Sequence, residues 1–130
     1  MSFDPIADML ARMQNAAQAG HERLAVPYSK VLWSVVELLE NQGFVSEFGK
    51  KQKAGQNYIE VQLKYDNGRP AITGTKRVSK LSRRFYSGSR KLWRVRGGYG
   101  LLAVSTPEGV MTGREAKNKN LGGEVLFEVW

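Results

Sequence analysis

The stretch "YIEVQLKYDNG" (58–68) constrains the fold of this chain more than any other. Ile59, Val61, Leu63 and Tyr65 alternate with Glu60, Gln62 and Lys64, which predicts a strand with one face buried and the other in water. Asp66-Asn67-Gly68 then turns the chain back. A sheet with one apolar face must be covered, and the residues upstream provide two covers. Asp4-Pro5 opens a helix on which Ile6, Met9, Leu10, Met13 and Ala17 recur at helical spacing, with Gly20 able to end it. Ser29 caps a second helix whose Leu32, Val35, Val36 and Leu39 form one stripe, ended by Gly43. The runs "ERLAVPYS" and "FVSEFG" are further strands. The order is α-β-α-β-β, two helices on one face of a small three-stranded sheet.

Near residues 70–76 the pattern shifts to short strands: "AIT", "RVSK" and "RRFY", a loop around Ser87-Gly88-Ser89, then "LLAVS" and "GVMT". Thr112 and Glu115 form the T-x-x-E of a capping box, which predicts a helix from about Gly113 to Asn120. Gly122-Gly123 ends it, and "EVLFEVW" closes as a strand. The expected fold class is α+β, with an α/β subdomain over 1–72 and a mostly-β, RNA-binding subdomain over 73–130 carrying one short helix.

Charge narrows the function. Residues 1–75 hold eight Lys/Arg and eight Asp/Glu, whereas 76–96, "KRVSKLSRRFYSGSRKLWRVR", hold nine Lys/Arg and no acid. The whole excess of +8 therefore sits in one segment, which implies a polyanionic partner, most often nucleic acid. Phe85, Tyr86, Trp93 and Tyr99 interleave with these charges, so bases or sugars could stack where phosphates are neutralised. Alternation predicts Phe85 and Trp93 as core residues, with Tyr86 in opposite phase to Phe85.

Enzyme chemistry finds no support. His21 stands alone in a polar loop, and Ser105 and Thr106 lack a G-x-S-x-G setting. Without cysteine there is no thiolate metal site, and no cofactor or metal is expected. "RGGYG" (96–100) lacks the G-K-[ST] ending of a phosphate loop and precedes a strand. No apolar run approaches the ~18 residues of a membrane span, so a cytoplasmic chain without a membrane partner is expected. "STPEGVMTGREA" (105–116) clusters hydroxyls and a turn between a strand and a helix. Its Ser-Thr pair either reads sugar hydroxyls and base edges at short range or caps a turn.

Three segments carry a family resemblance: "DPIADMLARMQNA", the basic stripe ending "RGGYGLLAVST", and "STPEGVMTGREAKNKNLGGEVLFEVW". Together they resemble bacterial small-subunit ribosomal protein eight from about residue 3 to Trp130. The resemblance implies a ribosome-bound primary rRNA-binding protein, present as a monomer, that binds the central domain of 16S rRNA and organises its assembly beside neighbouring ribosomal proteins. Some members also repress translation by binding their own messenger RNA, which is the alternative function. Carried over by position, the Ser-Thr loop falls on Ser105, Thr106 and Pro107, the contact tyrosine on Tyr86, and the Gly-Gly-Glu on Gly122, Gly123 and Glu124. Lys76 and Arg84 supply general attraction from the stripe. The N-terminal helix points to Arg12 and Asn15, and the second helix start to Ser29 and Lys30. Two departures stand out. The family loop commonly reads Ser-Thr-Ser-Lys-Gly where this chain has Ser-Thr-Pro-Glu-Gly, and "SGSRKLWRVR" (87–96) is more basic than usual. Pro107 removes a donor and Glu108 replaces a cation, so the added arginines are expected to compensate.

Overall fold

A computed structural model describes residues 3–130, which divide into two compact units. One unit is Pro5–Thr73; the other is Gly74–Trp130 together with Phe3 and Asp4. Helices with a three-stranded sheet in the first, and strands with one short helix in the second, make the fold α+β.

The first unit follows the order expected from its periodicity. Helix α1 (Pro5–Ala19) starts at the proline, where the missing N–H costs no bond, and buries Ile6, Met9, Leu10, Met13, Ala16 and Ala17. Strand β1 (Arg23–Pro27) leads to α2 (Lys30–Asn41), capped by Ser29 Oγ accepting from Leu32 N–H at 3.1 Å. Strands β2 (Val45–Lys53) and β3 (Gln56–Leu63) form an antiparallel hairpin, and the sheet order is β1-β3-β2. Ile59, Val61 and Leu63 are buried while Glu60 and Gln62 are partly exposed, as the alternation requires. The hairpin runs further than the sequence suggests. Ala54 and Gly55 both take positive φ (53° and 79°) between the paired Lys53 and Gln56, a two-residue turn of the kind that matches strand twist. Gly55 suits that conformation but Ala54 is an unusual residue for it, so the turn carries only half of the usual composition signal. The Asn67-Gly68 turn does, and it joins β4 (Tyr65–Asp66) to β5 (Arg69–Pro70).

The second unit is built around β10 (Gly123–Val129). On one side lies β8 (Leu101–Thr106), then β9 (Gly109–Thr112), with α3 (Gly113–Asn118) capped by Thr112 as the capping box predicts. The helix ends at Asn118, and Gly123 opens β10 rather than closing the helix. On the other side, β6 (Thr75–Arg77) and β7 (Tyr86–Ser87) both pair antiparallel with β10. They are one edge strand interrupted by an excursion. Val78 and Ser79 N–H groups donate to Leu126 and Val125 carbonyls, the chain leaves through the Lys80–Arg83 bridge, and it returns where Val125 N–H donates to Phe85 O. This corrects two of the expected strands, because "RVSK" gives only Arg77 and "RRFY" only Tyr86 to a regular strand, the residues between making isolated bonds. "AIT" forms no strand; Ala71 N–H instead donates to Lys64 O beside the β4–β5 turn.

Leu92, Val95, Leu102, Val104, Met111, Ala116 and Val125 make the core of this unit. Phe85 and Trp93 are not in it. They remain 44% and 36% exposed, packed edge to face at 5.9 Å. The smaller Leu92 and Val95 take the buried positions on either side of Trp93, which turns the indole outward.

Candidate nucleic-acid interface

The register of the second sheet brings together residues that lie far apart in the chain. Glu124 on β10 is directly opposite Tyr86 on β7 and Ser105 on β8, and Gly123 is opposite Ser87. Cross-strand partners share a face, so Tyr86, Glu124 and Ser105 form one row. The backbones crowd where the row ends. A Cβ on Gly123 would lie 2.0 Å from Ser105 O, and one on Gly122 would lie 2.5 Å from Ser87 O. Only glycine permits that approach.

The members of the row differ in what they leave free. The Tyr86 ring is 68% exposed. Ser105 is half-buried, and the Pro107-Glu108 turn beyond it is exposed. Thr106 is 8% exposed, and its hydroxyl donates to Gly109 O at 2.9 Å while accepting from Glu108 N–H at 3.2 Å. It holds the β8–β9 turn. Glu108 lies 3.8 Å from Lys119, both of them exposed.

Glu124 is similarly engaged. Its carboxylate accepts from the Ser79 hydroxyl and, at 2.9 Å, from Arg84. Ser79 is fully buried, and its Oγ accepts in turn from Phe85 N–H at 3.1 Å. Glu124 therefore closes the neck of the excursion from β10. Burial works to raise the Glu124 carboxyl, but hydrogen bonds from Ser79 and Arg84 and the charges of Arg84 and Arg77 outweigh it and hold the group below its ordinary value. The hydrogen bond and charge of Glu124 raise the Arg84 guanidinium further above an already high value. Ser79 sits in "VSKLSRR", where no spacing or composition singles it out; only the return of the chain at Phe85 gives it a role.

The remaining candidates lie elsewhere. Lys76 on β6 is exposed and directly opposite Glu128, four residues along β10 from Glu124. In the first unit, Arg12 is held by Asp8 at 2.9 Å and donates to Ala25 O at 3.1 Å. Asn15, one turn further along α1, is exposed. Ser29 Oγ is used by the α2 cap, and Lys30 is exposed beside it. Among the described residues no group of three or more His, Cys, Asp or Glu could hold a metal ion. No helix there is long and apolar enough to cross a membrane.

Comparison with known proteins points one way. A family model described as ribosomal protein S8 matches residues 4–130. A protein of Oleidesulfovibrio alaskensis named small ribosomal subunit protein uS8 is 43% identical over the full length of both chains. Proteins of the same name from a Synechococcus species and from Roseiflexus castenholzii are 44% and 45% identical, each alignment covering 98% of this chain and 97% of the relative.

Proposed function

The chain belongs to the ribosomal protein S8 family, and we propose that it binds the central domain of 16S rRNA as a primary binding protein and organises assembly of that domain. It is a structural, RNA-binding constituent of the small ribosomal subunit and not an enzyme, and it is ribosome-bound in the cytoplasm. The C-terminal unit is its principal RNA-binding part.

The observation that supports this reading is the row Tyr86–Glu124–Ser105 above the glycine crossing. Binding proceeds in two layers. Exposed cations such as Lys76 and those of residues 90–96 supply attraction to any phosphate backbone, and that part weakens with salt. The Tyr86 ring, Ser105 and the turn at Pro107 then select a local RNA shape through stacking and short hydrogen bonds to sugars and base edges. Thr106 and Glu124, whose polar atoms are already engaged, keep that geometry rigid, and Gly122 and Gly123 let the neighbouring backbones approach closely enough to form the RNA-binding row. Arg12, Asn15, Ser29 and Lys30 form a second, smaller contact from the N-terminal unit. Neighbouring ribosomal proteins complete its surroundings.

The test is a titration of the full chain with a central-domain rRNA fragment and with an unrelated duplex of equal length, at two salt concentrations. The fragment is expected to bind a hundredfold or more tightly, about 3 kcal/mol, and to keep that lead in high salt. Equal binding that fades equally with salt overturns the reading. A messenger RNA hairpin of the same local shape would fit the same surface. Co-sedimentation with small subunits through high salt supports the ribosomal target, and recovery only in the free pool supports the messenger.

A further inference from the structure

The excursion between β6 and β7 forms one wall of a cleft of about 480 Å³, within the ~300–1,000 Å³ usual for small-ligand sites. Lys80 and Arg83 of the excursion, Lys76 of β6, Glu128 of β10, and Phe85 with Trp93 line it. Trp93 Nε1–H donates to Glu128 Oε1 at 3.1 Å, which fixes the indole, and Phe85 meets it edge to face at an interplanar angle of 83°. The neighbouring arginines are neutralised, Arg77 by Asp4 at 3.1 Å and Arg84 by Glu124 at 2.9 Å. Lys76, Lys80 and Arg83 form no ion pair among the described residues.

We propose that this cleft is a binding site for one unstacked nucleotide of a single-stranded RNA segment, with its base against Phe85 and Trp93 and its phosphates against Lys80 and Arg83. The proposal rests on the reading of the chain as RNA-binding but concerns a different surface from the Tyr86–Ser105 row. Three unpaired cations around two exposed rings fit a ligand that is anionic and flat at once. A bare phosphate would leave the rings unused, and an apolar peptide would leave the cations unmatched. Bases inside a duplex are stacked and cannot enter a concave site, whereas a base splayed from a single strand can. Lys76, the cross-strand partner of Glu128 in the cleft lining, adds attraction for the adjoining phosphate.

The test uses the full chain and a single-stranded oligouridylate of about five nucleotides, with tryptophan emission as the readout. Oligouridylate is expected to quench emission and to bind about tenfold more tightly than an abasic ribose-phosphate oligomer of equal length, the scale of one stacked base. Trp93→Leu is expected to remove the quench and the tenfold advantage, and Trp93→Phe to retain most of the advantage. Lys80→Ala with Arg83→Ala is expected to weaken both oligomers. Equal binding of oligouridylate and the abasic oligomer to the unaltered protein overturns the proposal without reliance on any variant. So does equal affinity for an acidic peptide containing phenylalanine. The rRNA titration above reads the other surface. If its discrimination fails while oligouridylate still binds through Trp93, the central-domain reading falls and the cleft stands; if it holds while the base makes no difference, the cleft falls alone.

Discussion

At Gly123 an added Cβ would lie 2.0 Å from Ser105 O, yet at Gly88, one residue beyond the Ser87 that pairs with Gly123, nothing lies within 4 Å. The two glycines therefore separate backbone proximity from composition. Gly123→Ala is expected to force β8 and β10 apart, costing about 2 kcal/mol or more of stability, as overpacking does, and to remove discrimination between rRNA and unrelated duplex. Gly88→Ala is expected to change thermal unfolding by less than about 0.5 kcal/mol. Glu124 carries a second prediction at this scale. Its carboxyl is lowered in the folded chain, so the unfolded chain binds the proton more readily. The stabilisation is therefore fully present above the ordinary value near 4.5 and is lost as the pH falls through the lower folded value. Glu124→Gln should cost about 1–2 kcal/mol near neutrality and flatten the acid limb of stability, as measured by thermal unfolding at pH 7 and pH 3. An unchanged acid limb would place the acid sensitivity on other carboxylates.

Among the elements, the β8–β9 hairpin shows how a turn can be kept while its charge changes. Thr106 Oγ1 bonds to Gly109 O and Glu108 N–H, which closes the turn without using the side chains of Pro107 or Glu108. Those two positions are exposed and open to substitution at little cost in folding. Replacing Pro107→Ser and Glu108→Lys together should tighten binding to the rRNA fragment, because an anion near phosphate becomes a cation and a hydroxyl is added. Stability should stay within about 0.5 kcal/mol, since the Glu108–Lys119 pair is exposed and 3.8 Å apart. Paired titration and unfolding measurements check both halves, and unchanged affinity would count against a role for this turn in binding. The edge strand behaves differently. Its excursion at Lys80–Arg84 depends on buried Ser79, bonded to both Glu124 and Phe85, so its shape is set by partners distant in sequence.

For the molecule as a whole, nearly all of the excess positive charge lies in the Gly74–Trp130 unit, whereas Pro5–Thr73 is close to balanced. Affinity for an unrelated duplex should therefore fall linearly with the logarithm of salt concentration. Replacing Arg90 and Lys91, both exposed, by alanine should reduce that slope by about one unit per charge. A slope that does not move would place the general attraction elsewhere. The parts of the fold legible in the sequence are those that local physics decides. The stripes of α1 and α2, the Ser29 and Thr112 caps, the alternation of β3 and the Asn67-Gly68 turn all follow from periods and hydrogen bonds spanning a few residues. The residues of the row were legible only through family resemblance, because nothing local links Tyr86, Ser105 and Glu124. Their adjacency comes from the register of three strands meeting at β10. The outward turn of Phe85 and Trp93, against the core placement that alternation predicts, is likewise tertiary. Leu92 and Val95 fill the available core volume, and Glu128 and the edge-to-face contact hold the aromatics outside it. Sequence by itself determined where helices, caps and alternating faces form, since those energies are local. Tertiary structure decided which distant backbones touch and which aromatics stay in water, since those depend on volume shared among strands far apart in the chain.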